Sequence, residues 1–494
     1  MVVSSLAQGA DTTSLSTRTL VHSSLAETFV ALPFENPAMK FYHHQVSLSN
    51  LSVSIDNQKE STPLVVEEGD GWRGFRVSAD SYVRLTDNSR VWGEAYYRNG
   101  TRTHVKWNET SDYEQVYPYV VADSLCGDMK SETYYFHGGY AQHTGRWTYG
   151  LSFGYKALLE YRDVDPRPRN ITADLDFRVG GTYALRNYAL GLSGEVHRYK
   201  QNGNITYFDE LGVSKTFQLT GLGTSYTRFD GARNSYSYEG MTYGVTLSLL
   251  PLSGNGISGA AYFRSSSLTK KLPDPGNIKL NESSTAEYGA ELAWKHAGAQ
   301  NAYGIKLEAA CKDRTGTENF FGDAASSLYP LISSVDAFES NRQQAGLSFF
   351  YEQQQTDCWR WSVVPAVDYR HRKDTYASLD KIMEYSHVDV NLALNSSLRI
   401  NQDVVEGHVW GARQMKLDAD LQAGTIAVNC ARQILLQNYR MQSAGCSLYG
   451  LSVRWMHTLK PTLGFTAEVG WQQGFYDGMD EDNRQLWVSV GVSL

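Results

Sequence analysis

Charged side chains recur at every second position in several segments of the chain. In the stretch ITADLDFRVGGTYAL, residues 171–185, Asp174, Asp176 and Arg178 alternate with apolar or small residues. Successive side chains of a β-strand point to opposite faces, so the three charged groups share one face. Carboxylates and guanidinium groups on one face of a sheet can form ion pairs between strands or offer fixed charges to a polar solute.

The same alternation predicts a larger set of charged residues on that face. On a face exposed to lipid each charge would cost about 2–4 kcal/mol, whereas in a hydrated interior the cost is small. We therefore expect a water-filled lumen in which mixed signs favour ion pairs over a single-sign filter. These charges either set the selectivity of a passage or only keep the interior hydrated. The predicted lumen-lining residues are Arg76, Asp80, Arg84, Asp174, Asp176, Arg178, Glu195, His197, Glu287, Glu291, Lys295, Lys306, Glu308, Arg360, Asp368, Arg370 and Glu468.

Two glycine motifs resemble enzyme sites, but their surroundings do not fit. GLSFG, residues 150–154, matches G-x-S-x-G, yet Ser152 lies within a strand pattern and a nucleophile elbow needs a strand–turn–helix corner. GNGISG, residues 254–259, matches G-x-G-x-x-G, but a strand pattern follows it instead of a helix. We expect no enzyme activity and no cofactor.

Metal and redox chemistry find little support. The loop DGMDEDN groups Asp477, Asp480 and Asp482, whose oxygens suit Ca²⁺, but their spacing is not that of an EF-hand and acidic loops are often only solvated. The five cysteines form no C-x-x-C motif. Cys430 and Cys446 flank one loop and could pair in an oxidising compartment, and the sequence leaves this open.

Composition indicates antiparallel β structure and excludes a nucleic-acid partner. The 494 residues carry a net charge of −8, without the basic surplus that nucleic acid requires. Mean hydropathy is −0.41, and no apolar run reaches the ~20 residues of a membrane helix. The chain has 32 Tyr, 11 Trp and 43 Gly, and aromatic residues favour pleated surfaces.

Alternation runs from residue 41 to the end and predicts an all-β fold. A strand over residues 171–185 would be ~50 Å long at ~3.3 Å per residue, enough to cross a bilayer when tilted by ~45°. Backbone groups in lipid must all be paired, so the sheet must close. Short and long connections alternate along the chain. We predict a transmembrane up-and-down antiparallel β-barrel of about 18 strands (16–18), with short periplasmic turns and long extracellular loops.

The chain divides into three predicted parts. Residues 1–7 are the remnant of a signal peptide, because Ser5-Leu6-Ala7 resembles a cleavage site, or else a disordered tail. Residues 8–40 form an N-terminal periplasmic or plug segment, and residues 41–494 form the barrel.

Aromatic residues occupy two kinds of position. Aromatic residues beside the short turns, for example Trp147, Tyr183 and Trp294, are expected to form a ring around the barrel at the level of the lipid headgroups. Others lie in the loops predicted at 203–238 and 313–341, where they bind a ligand or partner, constrict the lumen, or only pack on one another. The predicted loop binding surface comprises Tyr207, Phe208, Phe217, Tyr226, Phe229, Phe320, Phe321 and Tyr329.

Two short stretches carry a family resemblance. Asn36-Pro37-Ala38, within ENPAMK, is similar to the entry segment of Bacteroidota outer-membrane barrels such as fatty-acid-transporter-like and secretion-shuttle barrels. The ending QLWVSVGVSL resembles the strand that the barrel-assembly machinery recognises, although Leu494 stands where Phe or Trp is usual. The chain thus resembles a Bacteroidota-type outer-membrane β-barrel of uncharacterised family, which implies contact with outer-membrane lipid and with that machinery. TonB-dependent receptors differ, since they place a large plug domain inside a barrel of about 22 strands.

Two hypotheses about function follow. The first is a channel or transporter for a small solute, with lumen charges that set selectivity and loops that gate the passage. The second is a non-conducting accessory subunit that binds a TonB-dependent receptor or a surface lipoprotein through its aromatic loops. Both place the chain in the cell outer membrane with periplasmic termini, and both leave open whether residues 8–40 close the lumen.

Overall fold

Eighteen long strands form one closed antiparallel barrel in the computed structural model, which describes residues 13–209, 215–231, 235–273, 276–323, 329–356, 358–424 and 429–494. The barrel strands are β1 (Leu48–Glu60), β2 (Gly71–Thr86), β3 (Ser89–Lys106), β5 (Cys126–Thr144), β6 (Trp147–Tyr161), β7 (Arg167–Leu185), β8 (Tyr188–Thr206), β11 (Ser235–Pro251), β12 (Gly256–Leu272), β13 (Ile278–Ala297), β14 (Asn301–Phe321), β15 (Leu331–Thr356), β16 (Trp359–Tyr376), β17 (Lys381–Ile400), β18 (Asp403–Gln422), β19 (Cys446–Lys460), β20 (Leu463–Tyr476) and β21 (Asp482–Ser493). A small second sheet joins β4 (Val121–Asp123), β9 (Thr216–Gly221) and β10 (Thr224–Ser225).

Each barrel strand pairs with the strands before and after it, and the first strand closes the ring. Val53 of β1 lies opposite Val77 of β2 on one side and opposite Val490 of β21 on the other. Short turns connect the strands at one end and longer segments at the other, so the predicted up-and-down barrel and its strand number are confirmed.

The two faces of the barrel wall have opposite character. In β7, Ile171 is 53% exposed and Val179 is 48% exposed on the outside, while Thr172 between them is buried inside. Exposed Leu, Val, Phe, Tyr and Trp side chains cover the outside of nearly every strand. Beside the short turns, the ring of Trp147 lies 4.8 Å from that of Tyr183. The outer surface is therefore an apolar band with aromatic side chains at its edge.

Helices are few and lie inside or above the barrel. They are α1 (Leu15–His22), α2 (Leu25–Thr28), α3 (Tyr113–Val116) and α4 (Asn429–Gln442), with 3-10 turns at Leu32–Glu35, Met39–Tyr42, Val66–Glu68, Thr227–Phe229 and Ala377–Leu379. Among the described residues, none of these helices has the length and apolar character needed to cross a membrane. The alternation pattern gave no sign of α4, because a helix does not have the two-residue period of a strand.

Several strands continue past the apolar band. β14 ends at Phe321 and β15 begins at Leu331. The segment 313–341, expected to be a loop, is therefore mostly a hairpin of these two strands. Just beyond the band the outward positions are polar, as in the pair Asp313 and Asn341, whereas Leu331, Ile332 and Val335 nearer the tip are exposed apolar residues. Strand pairing therefore persists beyond the band, where the regular apolar alternation ends.

The segment that precedes the barrel lies inside it. β1 begins at Leu48, so residues 41–47, expected in the barrel, belong to this segment. Residues 13–47, here called the belt, pass along the inner wall at the short-turn end. Helix α1 contacts β19, and α2 contacts β15, β14 and β13. The turn Leu32–Glu35 contacts β12 and β11, and the turn Met39–Tyr42 contacts β7, β6, β5 and β3. The belt therefore follows the wall around most of the circumference.

Candidate functional site: the lumen and the loop that crosses it

The predicted lumen charges lie on the inner wall, and most of them have charged partners. Arg76 pairs with Glu94 of the next strand at 3.0 Å, and Arg370 pairs with Asp389 at 2.5 Å. Asp80 accepts a hydrogen bond from the Asn50 amide, and Glu468 accepts one from the Trp487 indole. Mixed signs on neighbouring strands make ion pairs, in agreement with the pattern of the sequence.

One network of charges connects the wall to the belt. The carboxylates of Glu195 and Glu35 both bind the guanidinium groups of Arg178 and Arg264, with Arg178 Nε 3.1 Å from Glu195. Arg264 also lies 3.6 Å from Glu287. Since Glu35 comes from the belt and the others from β7, β8, β12 and β13, this network holds the belt to four strands.

Backbone groups of the belt bind further wall charges. Glu291 accepts hydrogen bonds from the backbone N–H groups of Ala31 and Leu32 at 3.3 and 3.4 Å. Lys295 donates to the carbonyl of Ala26, and Arg360 donates to the carbonyl of Leu20. These wall charges therefore satisfy the backbone of a segment that has no strand partner.

The Asn-Pro-Ala stretch of the belt fills a gap left by wall glycines. Asn36 is fully buried, and its amide donates to Ser248 Oγ at 3.3 Å. A Cβ atom on Gly180 would lie 2.0 Å from Asn36 Oδ1, and one on Gly150 would lie 2.4 Å from the Ala38 nitrogen. Only residues without a side chain allow this close approach.

The opposite end of the lumen is crossed by one long connection. Residues 107–125, here called the crossing loop, leave the wall between β3 and β5 and contain α3 and β4. Their far contacts lie on β14, β15 and β16, which stand on the opposite side of an 18-stranded ring. The crossing loop therefore spans the barrel interior.

Arginines of the far wall hold the crossing loop. Arg314, 8% exposed, donates to the carbonyl of Glu114 at 3.0 Å and to the carbonyl of Tyr117. Arg342 binds the Glu114 carboxylate at 2.8 Å. Burial would raise the pKa of Glu114, but the charges of Arg342 and Arg372 outweigh it and hold this pKa below its usual range.

Hydrogen bonds from the near wall complete the attachment. Lys156 of β6 lies 2.9 Å from Asp112, and the hydroxyls of Tyr236 and Tyr238 donate to crossing-loop carbonyls at 2.6 Å. Around these bonds, Val116, Val120 and Tyr117 pack against buried side chains from β8 through β17 and from α4. The loop is thus fixed on both sides by side chains, without joining the barrel sheet.

The carboxyl groups of Glu109 and Asp123, both in the crossing loop, form a buried pair. Arg162 binds Asp123 at 2.6 Å, and both side chains are almost fully buried. Glu109 is also fully buried, and burial together with the nearby Asp123 raises its pKa well above the usual range. This carboxyl is therefore destabilising when ionised.

Most aromatic residues of the predicted loop surface are covered. Phe229, Tyr226 and Phe321 are buried in the core above the lumen, and Tyr207, Phe217 and Tyr329 pack against that core or its neighbour. Phe208 is 81% exposed and Phe320 is 38% exposed. The arrangement matches the alternative in which these rings pack on one another.

Cavities lined by both charged and apolar side chains lie between the belt and the crossing loop in the described part of the barrel. One of about 610 Å³ is lined by Leu32 of the belt and by Glu308 and Asp368. A second of about 560 Å³ is lined by Glu114 of the crossing loop and by Lys312, and shares wall residues such as Gln344 with the first. A third, of about 600 Å³, borders the belt at Glu35.

The remaining motifs do not form sites in the described part of the chain. Ser152 lies within β6, with its side chain buried at the inner wall. Asp477 binds Arg413 and Asp482 binds Arg484, and no cluster of three metal-ligating side chains is present among the described residues. Cys446 is a free thiol, and the side chain of Cys430 lies outside the described residues.

The sequence reasoning missed the arginines that hold the crossing loop. Arg314 falls inside the segment 313–341 that was expected to be a loop, and Arg342 directly follows it. Arg314 continues the inward set of Lys306, Glu308 and Lys312 on β14, and Arg342 continues that of Gly346 and Gln344 on β15, so the two-residue period could have found both.

Comparison with solved structures gives barrels of low identity. The ferric preacinetobactin receptor BauA from Acinetobacter baumannii has a TM-score of 0.42 at 8% identity, covering 90% of this chain and 80% of that chain. A bacterial polysaccharide outer membrane secretin has a TM-score of 0.35 at 10% identity, covering 90% and 97%. The ferric yersiniabactin uptake receptor FyuA from Yersinia pestis has a TM-score of 0.38 at 9% identity, covering 91% and 80%. At these scores the likenesses say nothing about what this chain does.

No curated protein matches the chain. Residues 37–494, which include the end of the belt and every barrel strand, match the profile of a family of unknown function, DUF6850, and the chain belongs to that family.

Proposed function

We propose that the chain is an outer-membrane barrel that conducts a small polar solute, and that the crossing loop gates the passage. The apolar outer band supports a position in the outer membrane, in contact with its lipid. In this proposal the short turns and both termini face the periplasm, the long connections face outward, and the C-terminal strand is read by the barrel-assembly machinery.

One observation carries the proposal. Cavities of about 560 and 610 Å³ share wall residues and run from the crossing loop to the belt, with charged and amide side chains along them. Barrels of eight strands are filled by side chains, whereas porins of 16–18 strands leave an aqueous channel, and this barrel has eighteen strands. A hydrated interior of this size supports solute passage, and we assign the chain no catalytic role.

The attachment of the crossing loop supports gating instead of a permanent closure. It shares no ladder of hydrogen bonds with the barrel strands, and its far side depends on Arg314 and Arg342. Side-chain contacts can break while the barrel wall stays intact, whereas a barrel strand cannot leave without opening the sheet. The accessory-subunit hypothesis finds less support, because most of its proposed aromatic surface is covered.

Planar-bilayer recording tests the proposal. The wild-type protein should show small or brief openings, and a variant with residues 110–122 replaced by Gly-Gly should show large sustained steps. A folded variant that stays silent, together with a receptor or lipoprotein that co-purifies with the wild type, would refute conduction. Retention of a compact, heat-modifiable barrel on gels serves as the folding control.

A further inference from the structure

Two rows of like charges lie on the inner wall of β14, β15 and β16. Lys312 is directly opposite Arg342, which is directly opposite Arg372. Four residues nearer the belt, Glu308 and Asp368 stand in register with each other across Gly346. Like charges directly opposite each other destabilise a sheet unless other groups compensate them.

Internal ion pairs neutralise part of the cationic row. Arg342 binds Glu114 at 2.8 Å and Arg372 binds Asp374 at 2.7 Å. On its other side Lys312 lies directly opposite Glu287 of β13, but Glu287 pairs with Arg264, and among the described residues no carboxylate lies within ion-pair distance of Lys312. A positive charge therefore remains at the crossing-loop end of the cavity.

The acidic row keeps the opposite charge. Glu308 binds Lys306 at 3.1 Å, and Lys306 also lies 3.9 Å from Glu291, so one cation serves two carboxylates. Asp368 accepts a hydrogen bond from the Asn391 amide at 2.8 Å, and within the described chain no cation pairs with it. Asp368 also lies directly opposite Asp389, which Arg370 neutralises.

The two unpaired charges face one continuous space. Lys312 lines the cavity below the crossing loop and Asp368 lines the adjoining cavity above the belt, and both cavities share Gln344 and Arg370. Lys312 and Asp368 are offset by four residues along the strand direction and by two strands across the sheet. At ~3.3 Å per residue and ~4.8 Å per strand, this places their Cα atoms roughly 16 Å apart.

From this arrangement we propose that the lumen binds short zwitterionic peptides of three to four residues. The peptide carboxylate lies at Lys312, beside the row where Arg342 already holds a carboxylate, and the peptide ammonium lies at Asp368. An extended peptide spans ~3.3 Å per residue and a charge-assisted contact adds about 2.8 Å at each end, so three residues bridge roughly 16 Å. This inference deepens the proposed function by naming the class of solute.

Calorimetry on the purified full-length protein in detergent tests the inference with tetraglycine, its N-acetyl derivative and its C-terminal amide. Tetraglycine should bind, and each capped derivative should bind about tenfold more weakly, because each lacks one charge-assisted contact. Lys312→Gln should weaken tetraglycine about tenfold and leave the amide unchanged. Asp368→Asn should do the same and leave the N-acetyl derivative unchanged.

Matched controls and separable failures complete the design. Lys460→Gln and Asp480→Asn change exposed residues away from the cavity and should leave tetraglycine affinity unchanged. Absence of tetraglycine binding at millimolar concentration, or equal binding of all three peptides by the wild type, overturns the inference whether or not the variants fold. Conduction without peptide binding overturns this inference alone, whereas charge-dependent binding in a protein that never conducts overturns the proposed function alone.

Discussion

Replacing Arg314 with Gln should open the passage by releasing the far side of the crossing loop. The Arg314 guanidinium donates to the carbonyls of Glu114 and Tyr117 and to Thr285 Oγ1 at 3.1 Å, and it is 8% exposed. A hydrogen bond from a charged donor contributes about 1.5–3 kcal/mol when its partner stays buried. The two bonds to the loop therefore stabilise the closed position by about 3–6 kcal/mol.

Because 1.4 kcal/mol is a tenfold change, this loss raises the ratio of open to closed time by roughly two to four orders of magnitude. Single-channel recording in planar bilayers measures that ratio. Arg413→Gln is the matched control, since Arg413 binds Asp477 in an exposed pair, and exposed pairs contribute about 1 kcal/mol or less. An Arg314→Gln barrel that folds and keeps the wild-type ratio would refute the reasoning.

Three further predictions test other parts of the account. Lowering the pH should open the passage only below the range in which a free glutamate titrates, because Glu114 has a depressed pKa. Its ion pair with Arg342 is intact above the unfolded pKa and is lost as the pH falls through the folded pKa. Recordings from pH 7 to 3 check this, and Glu114→Gln should remove the pH step. Gly180→Ala should displace Asn36 and destabilise the belt by roughly 1–3 kcal/mol, which limited proteolysis would detect as faster cleavage of the belt. Gly181→Ala is the control and should behave as wild type, because a Cβ atom at that position meets open space. Glu109→Gln should raise the melting temperature at pH 8 and leave it unchanged at pH 4. The pKa of this buried carboxyl is raised, so its ionisation destabilises the fold only as the pH rises above the unfolded pKa. Equal shifts in melting temperature at both pH values would contradict this.

Much of the wall could be predicted from the sequence, because a barrel strand is specified locally. Alternation at residues such as Asp174 and Val179 reports directly which solvent each face meets. The same rule places Asp368 and Lys306 on the lumen side, where the structure has them.

The contents of the lumen could not be predicted in the same way. The belt and the crossing loop have no strand period, and their positions depend on distant partners such as Arg314 with Tyr117 and Gly180 with Asn36. Those contacts join residues far apart in the chain, so no local pattern announces them. The aromatic loop residues illustrate the same limit, since Phe229 and Phe208 look alike in sequence but only the first is buried.

A reversible tether on the crossing loop tests the central claim most directly. Val121 of β4 lies opposite Gln218 of β9, and antiparallel partners have Cα atoms about 4.5–5.5 Å apart, within the range of a disulfide. Lys381 of β17 binds the carbonyl of Leu222 just after β9, so the tether attaches the crossing loop to a second wall-bound segment. Within the described part of the chain the side-chain amide of Gln218 has no hydrogen-bond partner, so its replacement removes no such contact there.

The measurement is the bilayer conductance of the Arg314→Gln, Val121→Cys, Gln218→Cys variant before and after reduction. Arg314→Gln without the two cysteine substitutions serves as the control for effects of the reductant on the native cysteines. If the crossing loop is the gate, the oxidised protein stays closed and reduction produces the openings of Arg314→Gln. Equal conductance in the oxidised and reduced states would contradict the account.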